Sequence, residues 1–473
     1  MRISNLSTTI RTRTSKAKWL CSLFLILGFA SFAQDNETSF LFVGDVMQHD
    51  GQINAARNNT EDCYDYEDGW KFIRPIVNEY DIAVANLEVT LAGKPYKGYP
   101  QFSAPDELAE TLVNNGFNVI LTANNHSCDR GSKGVIRTLD KLDELGVPHT
   151  GTFRSQKERD QNYPLMLEEN GMKIAMLNYT YGTNGLEVAK PLIINYIDST
   201  VIKADVARAK EMGADYIICN MHWGLEYKFL PNGYQKTYEQ LCYREGVDMV
   251  IGGHPHVVQP IEQKEINGED KLTVWSLGNF VSNMQTRPTR GGLMVGSTIE
   301  KEGDDISIKE AHYYLVYVLK KSEGEVTQYY ILPDFDYNGT APNFIDATNQ
   351  THYKNFMADS RKLFAEHNQN ASERIVLPNS ETGKLYTQFL TSYYAVEITE
   401  GDEALLHNDL IGELLQVTVD KEGNHHMISG MCATESEAKS VQNYMNDLGI
   451  GTSTVIVQVN YTAEGIQVKP ATP

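Results

Sequence analysis

Phe40-Leu41-Phe42-Val43-Gly44-Asp45 is a short apolar run that ends in a glycine and a carboxylate. The same cadence, an apolar run followed by a polar cluster and then a helix-like stretch, recurs from residue 39 to about 333. The further runs are Ile82-Ala83-Val84-Ala85, Val119-Ile120-Leu121, Ile174-Ala175-Met176-Leu177, Tyr216-Ile217-Ile218-Cys219, Met249-Val250-Ile251 and Leu272-Thr273-Val274-Trp275. Continuous apolar runs suit strands buried on both faces, and the intervals between them suit crossover helices, so the pattern predicts an α/β fold with parallel strands. Helices are expected over 105–115, 132–145, 200–212 and 234–245, the second closed by Gly146, where a left-handed cap residue belongs.

The polar clusters at the ends of these runs are Gly44-Asp45, Asn86-Leu87-Glu88, Asn124-Asn125-His126, His222-Trp223-Gly224, His254-Pro255-His256 and Gly278-Asn279-Phe280. In a parallel sheet the C-terminal strand ends share one edge, so these clusters converge in space. Two carboxylates, several imidazoles and a side-chain amide are the ligand mixture of divalent transition metals rather than of Ca²⁺ or Mg²⁺ alone. Glu88 can bridge two ions, and His254 and His256, stiffened by Pro255, can face neighbouring ones. Two ions about 3.5–4 Å apart activate water and neutralise phosphoryl oxygens, which is hydrolytic chemistry. Taken singly, Asp45 reads as a helix cap, Glu88 as a hydrogen-bonded carboxylate, His222 as a packing histidine and Asn125 as a turn residue. Six clusters at consecutive strand ends outweigh those readings.

At 473 residues the chain is about three times the ~150-residue prior for one domain, which suggests one large and one smaller domain. There are 41 Lys and Arg against 62 Asp and Glu, a net charge of −21. The first 33 residues hold five of those cations (Arg2, Arg11, Arg13, Lys16, Lys18) and no acid; without them the balance is 36 against 62, or −26. So acidic a surface repels phosphate backbones, and no nucleic-acid partner is expected. Hydrophobic residues at 41% exclude a disordered chain.

Residues 1–18 are basic, and Trp19 to Ala30 form an apolar run ending in Ser31-Phe32-Ala33, the pattern of a signal peptide over 1–33 cleaved before Gln34. The run of about 12–15 residues is shorter than the ~20 that span a bilayer. Export to the periplasm or cell envelope follows as an expectation. Cys63, Cys128, Cys219, Cys242 and Cys432 then remain, an odd number without metal-finger spacing. Buried thiols are the main expectation, with a Cys63–Cys128 pair as the alternative.

The large domain is expected over 39–335 and a linker with a helical segment over 336–388. A small α+β unit follows over 389–462 with the order βαββαβ: strand Tyr393 to Ile398, a helix near 403–411, strands at 413–419 and 425–431, helix Glu435 to Leu448 and strand Thr454 to Val459.

Gly44-Asp45-Val46-Met47, Asn86-Leu87-Glu88, Ala123-Asn124-Asn125-His126 with Asp129 and Gly131, His222-Trp223-Gly224 with Glu226 and Tyr227, Gly253-His254-Pro255-His256-Val257 with Gln259, and Ser276-Leu277-Gly278-Asn279-Phe280 stand in the order found in one family. Together they resemble the CapA family of capsule and poly-γ-glutamate synthesis proteins. That family is similar to the calcineurin-like metallophosphoesterases, which implies a four-layered α/β/β/α sandwich ahead of the small C-terminal domain.

The resemblance implies Asp45 and His256 as ligands of a first metal, Glu88 as the bridge, and Asn125, His222 and His254 as ligands of a second. The cofactor would be one or two Mn, Fe or Zn ions. His126 would protonate a leaving oxygen or steady the transition-state charge. The wider superfamily carries Asp-x-His on its first strand, whereas Asp45-Val46-Met47 puts a thioether there, too soft to replace imidazole for Mn²⁺ or Fe. His49 is the nearest substitute, and the departure leaves one metal or two open.

Asp129 and Glu226 read either as carboxylates orienting imidazoles or as surface charges. Asn279 reads as a substrate contact or a strand-ending turn, and Arg287 and Arg290 as anion contacts or exposed loop residues. The expected function is a metal-dependent, phosphoesterase-like hydrolase of capsule-polymer synthesis; the alternative is a non-catalytic envelope factor that binds or assembles the polymer. Expected partners are an anionic polymer or phosphoester substrate and other envelope biosynthesis proteins. The C-terminal unit resembles a SPOR domain in pattern and size, which implies peptidoglycan as a further partner.

Overall fold

The computed structural model describes residues 36–471, apart from 59–62, 304, 324–325, 336–344, 377–379, 388–391, 399–414, 420, 422, 433–434, 448–453 and 463–464. Two large sheets carry the fold. In the first, strands Val326–Pro333, Asp305–Glu323, Gly291–Glu302, Glu37–Val46, Ile82–Leu87, Val119–Leu121 and His149–Thr150 lie side by side in that order. The last four run parallel, and the first three continue the sheet antiparallel. In the second, the order is Ile261–Ile266, Glu269–Val274, Met249–Gly253, Tyr216–His222, Met172–Thr180 and Leu165–Glu169. Its four middle strands are parallel and both edges antiparallel.

The parallel strands expected of an α/β fold are present in both sheets, and antiparallel strands extend each of them. The cause is local at both edges of the second sheet. Asn170-Gly171 and Asn267-Gly268 have positive φ at both residues (48° and 76°, 56° and 85°). Each dipeptide folds the chain straight back, Glu169 pairing with Met172 and Ile266 with Glu269, the geometry that Asn-Gly favours in two-residue hairpins.

Side-chain alternation explains how the second sheet is covered. Ile174, Met176 and Ile218 join a core with Phe40, Val43 and Val84 of the first sheet. Their neighbours Ala175, Leu177, Ile217 and Cys219 point the other way, into a cluster with Ile202 and Val206 of helix Ser199–Glu211 and Leu241 and Cys242 of helix Gly233–Glu245. Each buried aliphatic side chain contributes roughly 1.5–3 kcal/mol of transfer free energy, so a one-residue slip would misplace both sets at once. Helices Glu107–Asn114 and Gly131–Leu145 also fall where the pattern predicts them, and Gly146 ends the second at φ 66°.

Helix Ala347–His367 lies in the segment expected to hold one and packs on the long 305–323 strand, Tyr353 against Tyr317 and Phe364 against Tyr313 with ring centroids 5.5 and 4.9 Å apart. Toward the C-terminus a small antiparallel sheet has the order Leu415–Val419, His425–Cys432, Ser392–Ile398, Thr454–Thr462, Gly465–Pro470, with helix Glu435–Asp447 against it. The last strand was not expected; the helix expected near 403–411 and the signal segment 1–33 lie outside the described residues. No helix among the described residues is long and apolar enough to cross a membrane. The Cys63–Cys128 alternative is not realised. Cys128 is a buried thiol whose Sγ lies 3.7 Å from the Glu187 carbonyl, and Cys219 and Cys242 are buried thiols as well.

Candidate metal centre

The register of both sheets brings the polar strand ends level. Asp45 pairs with Asn86 on one side and Asn279 on the other, and in the second sheet His222 pairs with Gly253 and Thr180. The two sheets approach closely here. A Cβ on Gly253 would stand 3.0 Å from Asp45 Oδ1 and 3.7 Å from His222 Nδ1, so a side chain here would press on the Asp45 carboxylate. The chain then turns through His254 and His256 at φ 96° and 57°, left-handed backbone that non-glycine residues seldom adopt. That turn aims both imidazoles back at the carboxylates.

Glu88 is fully buried, and neither of its carboxylate oxygens has a hydrogen-bond partner; His254 Nδ1 is likewise buried and unpartnered. Around Glu88, ligand atoms of His222 and His254 form one group and those of Asp45 and His256 another, every atom of a group within 4.8 Å of the others. His222 Nε2 lies 3.5 Å from Glu88 Oε1 and 2.6 Å from Asn125 Oδ1, while His256 Nε2 lies 3.9 Å from Glu88 Oε1. A buried carboxylate lacking donors is costly by itself and well suited to a cation. The residues present thus fit a divalent ion, with Glu88 common to both groups. A third group joins the exposed Glu226 to His254 and His256.

Electrostatics set His256 apart from His254. Burial alone would raise the Asp45 carboxyl, but the hydrogen bond from His256 and the charges of His222 and His256 hold it well below the usual carboxylate range. Burial would also lower His256, yet the Glu88 and Asp45 carboxylates push it up to about 9. His254 goes the other way, burial and the neighbouring His222 and His256 keeping it well below its ordinary value and therefore neutral.

Further residues act by holding these. Asn86 Nδ2 donates to Asp45 Oδ1 at 2.8 Å, and Asn124 Nδ2 donates to Asn86 Oδ1 at 3.2 Å. Asn279 is fully buried, its Oδ1 3.1 Å from His256 Nδ1 and its amide donating to the Thr289 carbonyl. His126 Nδ1 lies 2.7 Å from Asp129 Oδ2, which also accepts the Phe102 N–H.

The sequence-derived candidates Asp45, Glu88, Asn125, His222, His254 and His256 are therefore gathered in one place, with Asn279 and Glu226 against them. Arg290 is not brought in: its described contacts are with Gln285 and Tyr317. Arg287 pairs with Asp359 through Nη2 and Oδ1 at 2.7 Å, because the 287–289 turn docks on helix 347–367. His49 caps helix Asp50–Ala56, its Nδ1 3.2 Å from Gln52 Oε1, and belongs to none of the ligand groups. Met47 is buried in the apolar core. Asn86, Asn124 and Tyr181 were missed as contributors. Asn86 and Asn124 stand beside candidate ligands in Asn86-Leu87-Glu88 and Asn124-Asn125-His126, and Tyr181 follows the apolar run 174–177, which ends in no carboxylate or imidazole.

A buried set of three imidazoles and two carboxylates where two mixed sheets meet defines an α/β protein with the donor set of a divalent-metal site. The chain belongs to the family described as bacterial capsule synthesis protein PGA_cap, whose model matches residues 39–284. It is 28% identical over 279 residues to the PGA biosynthesis protein CapA of Bacillus subtilis (strain 168), covering 57% of this chain and 70% of that one. To the capsule biosynthesis protein CapA of Bacillus anthracis it is 25% identical over 287 residues, covering 58% of this chain and 66% of the relative. Among solved structures, the NAD nucleotidase of Haemophilus influenzae aligns over 75% of this chain and 59% of its own at 14% identity and a TM-score of 0.40. The calcineurin-like phosphoesterase YfkN from Bacillus subtilis aligns over 69% and 97% at 13% identity and a TM-score of 0.37.

Proposed function

We propose that this chain is a divalent-metal-dependent hydrolase of the phosphoesterase type, exported and acting in capsule or poly-γ-glutamate-type polymer synthesis at the cell envelope. The single observation that carries the metal reading is Glu88, a fully buried carboxylate with no donor to either oxygen, ringed by Asp45, His222, His254 and His256. In this reading the two sheets and their helices form the four-layered sandwich of the calcineurin-like enzymes. Asp45, Glu88 and His256 would hold one Mn, Fe or Zn ion, and Glu88, Asn125, His222 and His254 would hold a second. Such an ion, when bound, polarises a phosphoryl oxygen and lowers the pKa of coordinated water.

The rest falls to the chain's own side chains. Asp129 accepts from His126 Nδ1–H, so the proton passed to the leaving oxygen is the second one, carried on Nε2 of the imidazolium, and its departure leaves the neutral ring with Nδ1–H still held. Asn279 and Asn86 hold His256 and Asp45 at their angles. Copurifying metal, chelator-sensitive cleavage of a generic phosphodiester, and loss of turnover with retained metal in His126→Ala are the expected results; rates indifferent to chelation contradict the reading. Met47 in place of an imidazole favours one alternative, a metal-loaded but non-catalytic polymer-binding or assembly factor. Polymer bound without turnover under any metal would support that alternative. The C-terminal sheet is read as the part facing peptidoglycan.

A further inference from the structure

Three large, exposed aromatic side chains surround the ligand cluster, each from a different loop. Tyr181, at the end of the 172–180 strand, is 40% exposed, its ring centroid 4.5 Å from that of His254 and 6.4 Å from that of His222. Tyr227 is 47% exposed and 6.4 Å from His256. It sits at φ 62°, and its backbone N–H is tied to the Pro255 carbonyl at 2.8 Å, so the loop that bears it is fastened to the His254-Pro255-His256 turn. Tyr99, the most exposed at 67%, stands 6.3 Å from Phe102, whose ring packs edge-on 4.6 Å from His126.

Two of the three share a neighbour: Glu226 stands with His254 and His256, the imidazoles beside which Tyr181 and Tyr227 lie. Asn184 Oδ1 accepts from Tyr181 Oη at 3.4 Å and from Asn125 Nδ2 at 3.2 Å, which couples the rim to a candidate ligand. Exposed tyrosines held this firmly have apolar faces and polar tips available to a ligand at the centre. Among the described ring contacts no two of the three stack on each other, so they do not form the parallel slot that suits a flat base. Separate aromatic faces with a carboxylate and an amide between them suit a puckered ring that is apolar on its C–H faces and carries hydroxyls on its edge.

The geometry points to a sugar subsite: Tyr99, Tyr181 and Tyr227, with Glu226 and Asn184, select a phosphoester whose phosphoryl group is attached to a pyranose. This rests on the proposed phosphoesterase reading of the same centre. The rings contact the sugar faces, Glu226 accepts from its hydroxyls, and Asn184, whose Oδ1 is taken by Tyr181 and Asn125, donates to them through Nδ2.

The test is calorimetric titration of the Mn²⁺-loaded full chain with a hexose 1-phosphate, methyl phosphate and adenosine monophosphate. The hexose phosphate is expected to bind about tenfold tighter than methyl phosphate, the margin of one good aromatic contact. Tyr181→Ala and Tyr227→Ala each shrink that ratio toward one, whereas Tyr181→Phe and Tyr227→Phe keep most of it, since the ring face matters more than the hydroxyl. Metal content measured on the same samples keeps a lost fold from passing as a lost preference. Equal binding of hexose and methyl phosphates, alanine variants that keep the ratio, or adenosine monophosphate binding tightest overturns the sugar subsite while leaving the phosphoesterase reading in place. No metal-dependent binding of any phosphate overturns both.

Discussion

Oδ2 of Asp129 lies 2.7 Å from Nδ1 of His126, and both side chains are buried. The same oxygen accepts the Phe102 N–H, so the carboxylate is anchored to backbone before it reaches the imidazole. Asp129→Asn weakens the constraint on tautomer and ring angle without touching a candidate ligand. Turnover of a phosphodiester is expected to fall about 10- to 100-fold with KM nearly unchanged and metal content intact. An unchanged kcat would remove His126 from the chemistry.

Gly253 tests whether the close approach of the sheets serves the centre. In Gly253→Ala the new methyl stands 3.0 Å from Asp45 Oδ1 and 3.7 Å from His222 Nδ1. The carboxylate must shift. Overpacking of this kind costs about 1–3 kcal/mol, and the expected readouts are a lowered Tm and weaker metal affinity together. A variant with wild-type affinity would show that Asp45 is free to move.

His312 supplies a pH dependence far from the ligand cluster in sequence. Its Nε2 lies 2.6 Å from the Tyr80 hydroxyl, and burial, reinforced by Arg374 against the opposing Glu310, lowers its pKa to about 4. An unfolded histidine titrates near 6.5. Between those values the unfolded chain takes up a proton that the folded chain refuses. The contribution is therefore complete above pH 6.5 and is lost as pH falls toward 4, by at most roughly 3 kcal/mol. In urea unfolding, the stability gap between wild type and His312→Asn should narrow by roughly 2 kcal/mol from pH 7 to 4.5. A gap constant with pH contradicts this.

Much of this arrangement was legible because the donors sit at the ends of apolar runs, where strand direction alone brings them together. Asp45, Glu88, His222 and His254 were visible for that reason. What escaped were strands without an apolar run. The Ile261–Ile266 edge reads Ile-Glu-Gln-Lys-Glu-Ile and carries no such run, although Asn267-Gly268 after it is a hairpin signal. For Arg290 the two readings stayed open for a different reason: its turn is held by helix 347–367 through Arg287 and Asp359, 72 residues apart, a contact that no local pattern encodes. Tyr181 carries no ligand chemistry and shows its position only once the 172–180 strand lies beside His222.

The central claim is that Glu88 anchors a divalent-metal site. Calorimetric titration of Mn²⁺ or Zn²⁺ into chelator-treated wild type and Glu88→Gln tests it most directly. The amide keeps the volume and removes the charge common to both ligand groups. The account predicts saturable binding to wild type and a loss of at least about 100-fold in affinity for the variant. Equal affinity and stoichiometry in the two proteins would contradict it.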